Sequence, residues 1–269
     1  MTSASPRATR QPLSIPLSEG RVEAVRIVPA ERRAGAAPVV FLHDALGSVS
    51  LWRDFPDRFC SDSRREGLAF DRLGFGKSDP RPSPPGLRFL EAEATVRLPE
   101  LLRRARIERP VLFGHSDGAS IALLHAAAFP DAVAAVVSIA AHVFIEEVTL
   151  AGIEETVRAW ETTDLPARLG RHHGAKTESV FRGWSDTWRD PAFRGFSAVE
   201  AIRPLRCPLL VVQGERDEYG TVAQVEAIAA AVSGPARTLV LPGLGPFPHR
   251  EDPDGVLAAT EGFLAEFGL

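Results

Sequence analysis

The sequence contains few cysteines and no long hydrophobic run. Only two of its 269 residues are cysteine, Cys60 and Cys207, which excludes a scaffold held together by several disulfides. This usage favours a reducing compartment, and we expect a cytoplasmic protein. No apolar run approaches the roughly 18 residues that a membrane helix needs. Residues 1–11 are polar and lack an apolar h-region, so we expect no secretory signal.

The chain also lacks an excess of positive charge. Its net charge is −4 at pH 7, which argues against a nucleic-acid partner. No set of residues has the spacing of a metal site, and Gly74-x-Gly76 is too short for a phosphate-binding loop. We therefore predict neither metal nor cofactor. The oligomeric state stays open.

Strand-like and helix-like segments alternate along most of the chain. This alternation predicts a mostly parallel sheet with helices on both faces. The alternation stops in residues 142–200, which look mainly helical and are rich in tryptophan. The predicted strands are 13–17, 21–28, 38–43, 67–71, 111–113, 133–140, 208–213 and 237–241, and the predicted helices are 52–60, 89–106, 120–129, 221–232 and 253–267.

One short segment joins a predicted strand to a predicted helix in a chemically telling way. Gly114-His115-Ser116-Asp117-Gly118 follows the apolar residues 111–113 and precedes the apolar stretch 120–129. It fits G-x-S-x-G, the nucleophile elbow, in which the glycines allow a turn too tight for a Cβ. Such a turn exposes the Ser116 hydroxyl at the start of a helix, where backbone N–H groups are free.

The layout resembles that of the α/β-hydrolase superfamily over nearly the whole chain. It is most similar to the branch of small esterases, C–C hydrolases and haloperoxidase-like enzymes. The resemblance implies a doubly wound sheet of about eight strands, with a core formed by residues 1–141 and 201–269. Residues 142–200 would form a helical cap inserted after the sixth strand. The segments that support the resemblance to the α/β-hydrolase superfamily are 41–48 (FLHDALGS), 71–78 (DRLGFGKS), 114–118 (GHSDG) and 214–217 (GERD).

The family resemblance also assigns roles to individual residues. The catalytic groups follow the chain order nucleophile, acid, histidine, which makes Ser116 the nucleophile and Asp217 the acid. The backbone N–H groups of Ala45 and Asp117 match the oxyanion hole. Asp44 stands where family members usually have glycine, which adds a negative charge near the oxyanion.

The position of the family's catalytic histidine is occupied by proline. The family's last loop reads G-x-G-H, and here Gly245 is followed by Pro246, which carries no acid or base. His249 is the nearest replacement. Because Pro246 and Pro248 favour an extended path, it should lie roughly 9–10 Å along the chain from the usual position. The loop must therefore fold back if His249 is to serve as the displaced base.

Other side chains are candidates to line the pocket. His43 lies beside the oxyanion loop and is usually structural in the family, and His142 opens the cap segment without an evident acid to orient it. His172 and His173 lie in the cap, where we expect them to be exposed. We predict that His43, Asp44, His142 and Pro246 lie in or near the pocket.

Three functions are compatible with this pattern. The first is an enzyme that acts on a small carbonyl substrate such as an ester, lactone or β-diketone, with Ser116, Asp217 and His249 as catalytic residues. The second is a non-hydrolytic relative, a lyase, isomerase or cyclase with a degenerate triad, in which Ser116 polarises a carbonyl. The third is a small-molecule binding protein on the same fold. Removing a triad base lowers turnover about a million-fold. Because Pro246 cannot act as a base, efficient hydrolysis requires a substitute base, whereas the second and third functions do not.

Overall fold

A computed structural model of the chain describes residues 8–269. Its eight strands form one sheet in the order β1-β2-β4-β3-β5-β6-β7-β8. β2 pairs antiparallel with β1 and with β4, and every other neighbouring pair is parallel. The predicted sheet of about eight, mostly parallel strands is confirmed. The strands are β1 Thr9–Leu17, β2 Gly20–Val28, β3 Val39–Leu42, β4 Gly67–Phe70, β5 Val111–His115, β6 Ala135–Ile139, β7 Leu209–Gly214 and β8 Ala236–Leu241.

Helices connect the parallel strands and cover both faces of the sheet. Each helix predicted from the sequence is present, with small differences in its ends. The prediction of no secretory signal concerns mainly residues 1–7, which lie outside the described residues. The helices are α1 Phe55–Ser63, α2 Phe89–Ala92, α3 Leu98–Ala105, α4 Asp117–Ala128, α5 Glu147–Thr162, α6 Leu165–His173, α7 Thr177–Arg189, α8 Val222–Ala231, α9 Pro248–Glu251 and α10 Pro253–Glu266.

The two faces of the sheet bury separate apolar clusters. Leu112 and Val136 pack on one side with α4, whereas Phe113 and Val137 pack on the other with α1 and α10. This division follows from strand geometry, since successive side chains point to opposite faces. Burying one such side chain stabilises the fold by roughly 1.5–3 kcal/mol. The central strands are therefore mainly apolar, and their polar residues, such as Ser138 and Gln213, lie near their carboxyl ends.

The helical segment 89–106 is divided by a local change in winding. α2 and α3 are joined by a π-helical turn, Glu93–Arg97, and Pro99 lies in the first turn of α3. Proline has no N–H to donate, and the wider turn before it accommodates the missing hydrogen bond. The helix predicted over residues 89–106 is therefore interrupted by a π turn just before Pro99.

Helices α5, α6 and α7 lie between β6 and β7 in the chain, and we call them the inserted helices (147–189). His173 at the end of α6 fastens them to the rest of the molecule. Its Nδ1 accepts the Gly76 N–H at 2.9 Å, and its Nε2–H donates to the Leu46 carbonyl at 3.0 Å. The expectation that His173 is exposed was wrong, because both ring nitrogens bind loops of the sheet and only 2% of the residue is exposed. Among residues 8–269, no helix combines the length and apolarity needed to cross a bilayer.

Candidate active site

Ser116 lies in a strained turn at the carboxyl end of β5. Its φ of 53° and ψ of −121° are a conformation that side-chain-bearing residues rarely adopt. A Cβ at Gly114 would overlap the carbonyl of Gly118, and one at Gly118 would overlap the carbonyl of Leu42. Both glycines are therefore required by close packing. The turn leaves the Ser116 hydroxyl half-buried, and no described residue forms a hydrogen bond with its Oγ.

The Ser116 side chain faces a small cavity between the sheet and the inserted helices. The cavity has about 80 Å³ of space for water-sized molecules, and its walls are mainly apolar. Trp184 and Trp188 of α7 contribute aromatic walls, whereas Trp160 stacks on Phe181 at 4.0 Å and lies outside the lining. Seven of the predicted site residues line this cavity: Asp44, Ala45, Ser116, Asp117, His142, Asp217 and Pro246. Two do not, His43 and His249.

A larger groove continues from this cavity toward the surface. It measures about 730 Å³ and runs between the proline-rich loop 80–87 and α7. Ala45, Asp117 and Trp184 line both spaces, so the groove meets the cavity beside the two proposed oxyanion donors. The groove therefore lies directly beside the cavity.

Hydrogen bonds fix the loop after β3. The Asp44 carbonyl accepts from His43 Nδ1 at 2.8 Å, from Arg72 Nη2 at 2.8 Å and from the Gly47 N–H at 3.1 Å. Because the N–H of a trans peptide points opposite to its C=O, the Ala45 N–H is turned away from these partners. The Asp117 N–H is in the first turn of α4 and lacks an intrahelical acceptor. The His43 ring therefore holds the loop through the Asp44 carbonyl and does not line the cavity.

Three carboxylates lie at the cavity wall, in different electrostatic surroundings. Burial raises the pKa of Asp117 to about 6, although the charge of Arg72, 3.9 Å away, opposes that rise. Burial also raises the pKa of Asp44, but the hydrogen bond and charge of His115 and the charge of Arg250 outweigh it, so its pKa lies below the usual range. Burial raises the pKa of Asp217, with the Tyr219 N–H opposing it.

Asp217 follows β7 and is held by two donors. Gln213 Nε2 donates to its Oδ2 at 2.6 Å, and the Tyr219 N–H donates to its Oδ1 at 2.8 Å. The sequence analysis missed both partners. Gln213 carried a usable signal, because it is a polar residue near the end of an otherwise apolar strand. Tyr219 carried none, since its backbone and not its side-chain type makes the contact.

The loop after β8 holds Pro246 in the cavity wall and His249 outside it. The Pro246 carbonyl accepts His115 Nε2–H at 2.7 Å. Glu251 closes the loop by accepting the N–H groups of Gly245 at 2.8 Å and Phe247 at 3.0 Å. The extended path expected after Pro246 was wrong, because Pro248–Glu251 form the helical turn α9. Proline suits the first turn of a helix, where its missing N–H has no partner to lose.

His249 packs in an aromatic cluster on the far side of His115. Its ring centroid is 4.6 Å from that of His115, 4.8 Å from Trp52 and 5.8 Å from Phe55. Burial, and then the charges of His115 and Arg250, hold its pKa well below the ordinary value of 6.5. Its Nδ1 is buried without a partner. The structure therefore does not bring His249 together with Ser116, and its role as the base stays a prediction.

No described group of three or more His, Cys, Asp and Glu side chains could hold a metal ion. The cavity contains carboxylates and imidazoles, but His115 and Asp44 engage each other at 3.7 Å and Asp217 is occupied by its two donors. What remains available at the cavity wall is one hydroxyl, two backbone N–H donors, the carboxyl group of Asp117 and one imidazole, that of His142. These are groups for attack on, or polarisation of, a carbonyl.

Comparison with known proteins places the chain among relatives of the same architecture. The proline iminopeptidase of Mycobacterium smegmatis superposes with a TM-score of 0.76 at 16% identity, covering 95% of this chain and 98% of that one. The enol-lactonase of Burkholderia xenovorans LB400 superposes with a TM-score of 0.72 at 17% identity, covering 94% and 100%. At these identities the likeness shows the fold alone.

Sequence comparison adds a distant curated relative and a family match. The 1-acylglycerol-3-phosphate O-acyltransferase ABHD5 of Rattus norvegicus is 27% identical over 124 residues. That match covers 46% of this chain and spans only about a third (34%) of the relative. The sequence model of the α/β hydrolase fold matches residues 37–198, which is more than half of the chain. The chain therefore belongs to the α/β hydrolase fold family.

Proposed function

We propose that this protein is an enzyme that acts on a small carbonyl substrate, an ester, lactone or β-diketone, with Ser116 as the nucleophile. One observation carries the proposal: Ser116 has a positive φ, its hydroxyl has no hydrogen-bond partner among residues 8–269, and it shares a cavity with Ala45 and Asp117. Strain of this kind stabilises no part of the fold and is typical of sites where a group must be presented to a ligand.

The reaction uses these groups in a fixed order. Ser116 Oγ attacks the carbonyl carbon while its proton passes to a base, and the negative oxygen that forms accepts the N–H groups of Ala45 and Asp117. The C–O bond to the leaving alcohol then breaks, and the base returns the proton to that oxygen. Water attacks the acyl-serine by the same steps. A β-diketone follows the same course, with a C–C bond breaking and the carbanion taking the proton.

The surroundings of the cavity support a small, partly apolar substrate. Its walls include Trp184, Trp188 and Ile153, and its volume suits a short acyl group or a ring. The name of the similarly folded enol-lactonase describes a ring-ester substrate. Cys60 and Cys207 are buried, unpaired thiols, and we expect the enzyme to work in a reducing compartment such as the cytoplasm.

A fluorophosphonate probe tests the proposal directly. The probe should label the folded protein once, at Ser116, and Ser116→Ala should abolish labelling. The same variant should lose hydrolysis of p-nitrophenyl acetate and of a small lactone by at least a thousand-fold. Wild-type protein that is folded but unlabelled, or a Ser116→Ala variant that keeps its activity, would refute it.

The non-hydrolytic alternative has its own supporting observation. Pro246 occupies the family's histidine position, and no imidazole forms a hydrogen bond with Ser116 Oγ. A lyase, isomerase or cyclase needs only polarisation of the substrate carbonyl, which the hydroxyl and the two N–H groups can supply. Pro246→His separates the two functions. If it creates an esterase activity that the parent lacks, the alternative is favoured, and a parent with esterase turnover of its own excludes it.

A further inference from the structure

The His142 ring lies in the wall of the Ser116 cavity in one defined tautomer. Its Nε2 is 2.9 Å from the Tyr219 carbonyl oxygen, which can only accept, so Nε2 carries the hydrogen. In a neutral imidazole the other nitrogen, Nδ1, then has a free lone pair. Nδ1 has no hydrogen-bond partner in residues 8–269, and it is not among the sealed polar atoms of the interior. The ring thus presents an unoccupied proton acceptor next to the cavity.

The acid of the family triad orients this ring indirectly. Asp217 Oδ1 accepts the Tyr219 N–H at 2.8 Å, and the Tyr219 carbonyl accepts both His142 Nε2–H and, at 2.6 Å, the hydroxyl of Thr149. A Cβ at Gly220 would lie only 3.1 Å from His142 Nε2, so glycine there permits the close approach. The main chain of Tyr219 therefore takes the position between acid and imidazole that a direct hydrogen bond takes in the usual triad.

The backbone of His142 is tied to the same turn as Ser116. Ser120 Oγ donates to the His142 carbonyl at 2.8 Å and accepts the His142 N–H at 3.1 Å. The Ser120 N–H in turn donates to the Ser116 carbonyl at 3.0 Å. His142 is thereby fixed to the first turn of α4, the element that sets the position of the nucleophile. The ring and the hydroxyl therefore line the same cavity from two segments that are hydrogen-bonded to each other.

The other imidazoles near the site have no free acceptor facing it. His115 donates Nε2–H to the Pro246 carbonyl, and its Nδ1 faces the Asp44 carboxylate at 3.7 Å. His249 and His43 do not line the cavity, and both nitrogens of His43 are already bonded. Of these four rings, His115 and His142 line the cavity, and only the second nitrogen of His142 has no carboxylate oxygen within 4 Å among the described residues.

We propose that His142 is the general base for Ser116, replacing the histidine that Pro246 has displaced. The proposal rests on the proposed function. His142 Nδ1 takes the proton from Ser116 Oγ as the oxygen bonds to the carbonyl carbon, and the imidazolium keeps its Nε2–H bond to Tyr219. It then returns the proton to the leaving oxygen, so that no net charge or proton is left on the enzyme.

The electrostatic surroundings agree with this role. Burial lowers the pKa of His142, and the hydrogen bond to Tyr219 and the charges of Asp217 and Glu146 oppose that shift, while His115 adds to it. The ring is therefore neutral at pH 7, the form a base requires. The nearby carboxylate of Asp217 stabilises the cation that forms during the reaction, as the acid does in the usual triad.

The test compares three histidine variants on Ser116 reactivity. His142→Gln keeps a donor for the Tyr219 carbonyl but has no basic nitrogen, and it should slow fluorophosphonate labelling and p-nitrophenyl acetate hydrolysis at least a hundred-fold. His125→Gln is the matched control, since His125 is an equally buried histidine on α4 that donates Nδ1–H to the Ala94 carbonyl at 2.8 Å. His249→Gln tests the rival base. Both should stay within about ten-fold of the parent, a loss well short of that from removing a base.

Two further measurements separate a catalytic from a structural role. The kcat/KM of the parent should fall as pH drops through the His142 pKa, below 6.5, and that acid limb should be absent in His142→Gln. Added imidazole should restore part of the activity of His142→Ala in a concentration-dependent way. Restoration is expected even if the variant is less stable, because the folded fraction is what imidazole rescues.

The outcomes distinguish the two proposals. Labelling that depends on Ser116 but proceeds at the parental rate in His142→Gln overturns the assignment of the base and leaves the proposed function intact. A large loss in His249→Gln without one in His142→Gln has the same meaning and restores the rival. A parent that does not react at all refutes both. A hundred-fold loss with rescue by imidazole supports both.

Discussion

Asp117 is a carboxylate that folding makes unfavourable to ionise. It is 4% exposed, begins α4 and faces the buried guanidinium of Arg72 at 3.9 Å, too far for a hydrogen bond. Burial raises its pKa from the ordinary 3.8 to about 6. The folded protein therefore holds the Asp117 proton more tightly than the unfolded chain does, and that difference makes stability depend on pH.

The sign and size of this effect follow from proton linkage. Between pH 4 and 6 the folded state binds more protons than the unfolded state, so the free energy of unfolding falls as pH rises through this window. The two pKa values differ by about two, and each unit corresponds to about 1.4 kcal/mol, which gives about 3 kcal/mol in total. Asn has the shape of a protonated Asp but cannot ionise. Relative to the parent, Asp117→Asn should therefore gain nothing at pH 4 and about 3 kcal/mol above pH 7.

Denaturant unfolding of both proteins from pH 4 to pH 8 measures this difference. Titrating groups distant from Asp117 affect parent and variant alike and cancel in the comparison. In thermal unfolding, 3 kcal/mol corresponds to a Tm increase of roughly 6–12 °C at pH 8 for a chain of this size. Asp131→Asn, which makes the same change at an exposed position, should follow the parent curve. A constant difference between Asp117→Asn and the parent, or one that shrinks as pH rises, would refute the reasoning.

Three further substitutions, one of them paired with a control outside the site, test the geometry of the site. Ser116→Gly should raise the free energy of unfolding by about 1 kcal/mol while abolishing probe labelling, because glycine adopts φ 53° without strain; equal or lower stability would mean that the turn is not strained. Gly118→Ala should lower the free energy of unfolding by more than 3 kcal/mol, since the new Cβ overlaps the Leu42 carbonyl. Its control, Gly262→Ala, lies in an open part of α10 and should raise the free energy of unfolding by about 0.5–1 kcal/mol in the same denaturation assay. Gly183→Val should obstruct the groove between α7 and Pro85, because even a Cβ at Gly183 would lie only 3.1 Å from the Pro85 side chain. It should therefore lower kcat/KM for p-nitrophenyl octanoate more than for p-nitrophenyl acetate. Equal losses would show that the groove is not used.

The fold could be predicted because its signals are local. The apolar strands, the elbow and the start of α10 each lie within a few consecutive residues; Asp252, for example, accepts the Gly255 N–H as a helix cap. His173 could not be placed in this way. Its burial depends on the Gly76 N–H and the Leu46 carbonyl, which are distant in the sequence. Hydropathy describes what a residue prefers and does not identify the partners that satisfy it.

The candidate site divides along the same line. Motifs predicted that Ser116, Ala45 and Asp117 belong to one site because each sits at a fixed place in a strand-to-loop connection, and all three line one cavity. The proposed base, His142, was not predicted as such, because sequence distance from the vacant position pointed to His249. Helix α9 and the Glu251 contacts turn that side chain into the aromatic cluster around Trp52. His142 is more than a hundred residues away in sequence from Pro246. It lies near Asp217 only because β6 and β7 are neighbours in the sheet, so that the segments after their carboxyl ends meet.

Several unfavourable local energies occur around the Ser116 cavity. Six described non-glycine residues have positive φ, and two of them, Ser116 and Ala140, line this cavity. Arg53, Arg64 and Arg106 each end a helical segment, and Arg109 precedes β5. Strain of this kind costs about 1–3 kcal/mol for each residue, and the ionised Asp117 adds a similar amount. A protein is only about 5–15 kcal/mol more stable than its unfolded chain, so these terms are large. A sequence selected for stability alone would avoid these terms by having glycine at positions 116 and 140 and asparagine at position 117. These unfavourable terms occur beside the Ser116 hydroxyl and His142 Nδ1, neither of which forms a hydrogen bond within residues 8–269. A ligand that interacts with the cavity accounts for their presence together.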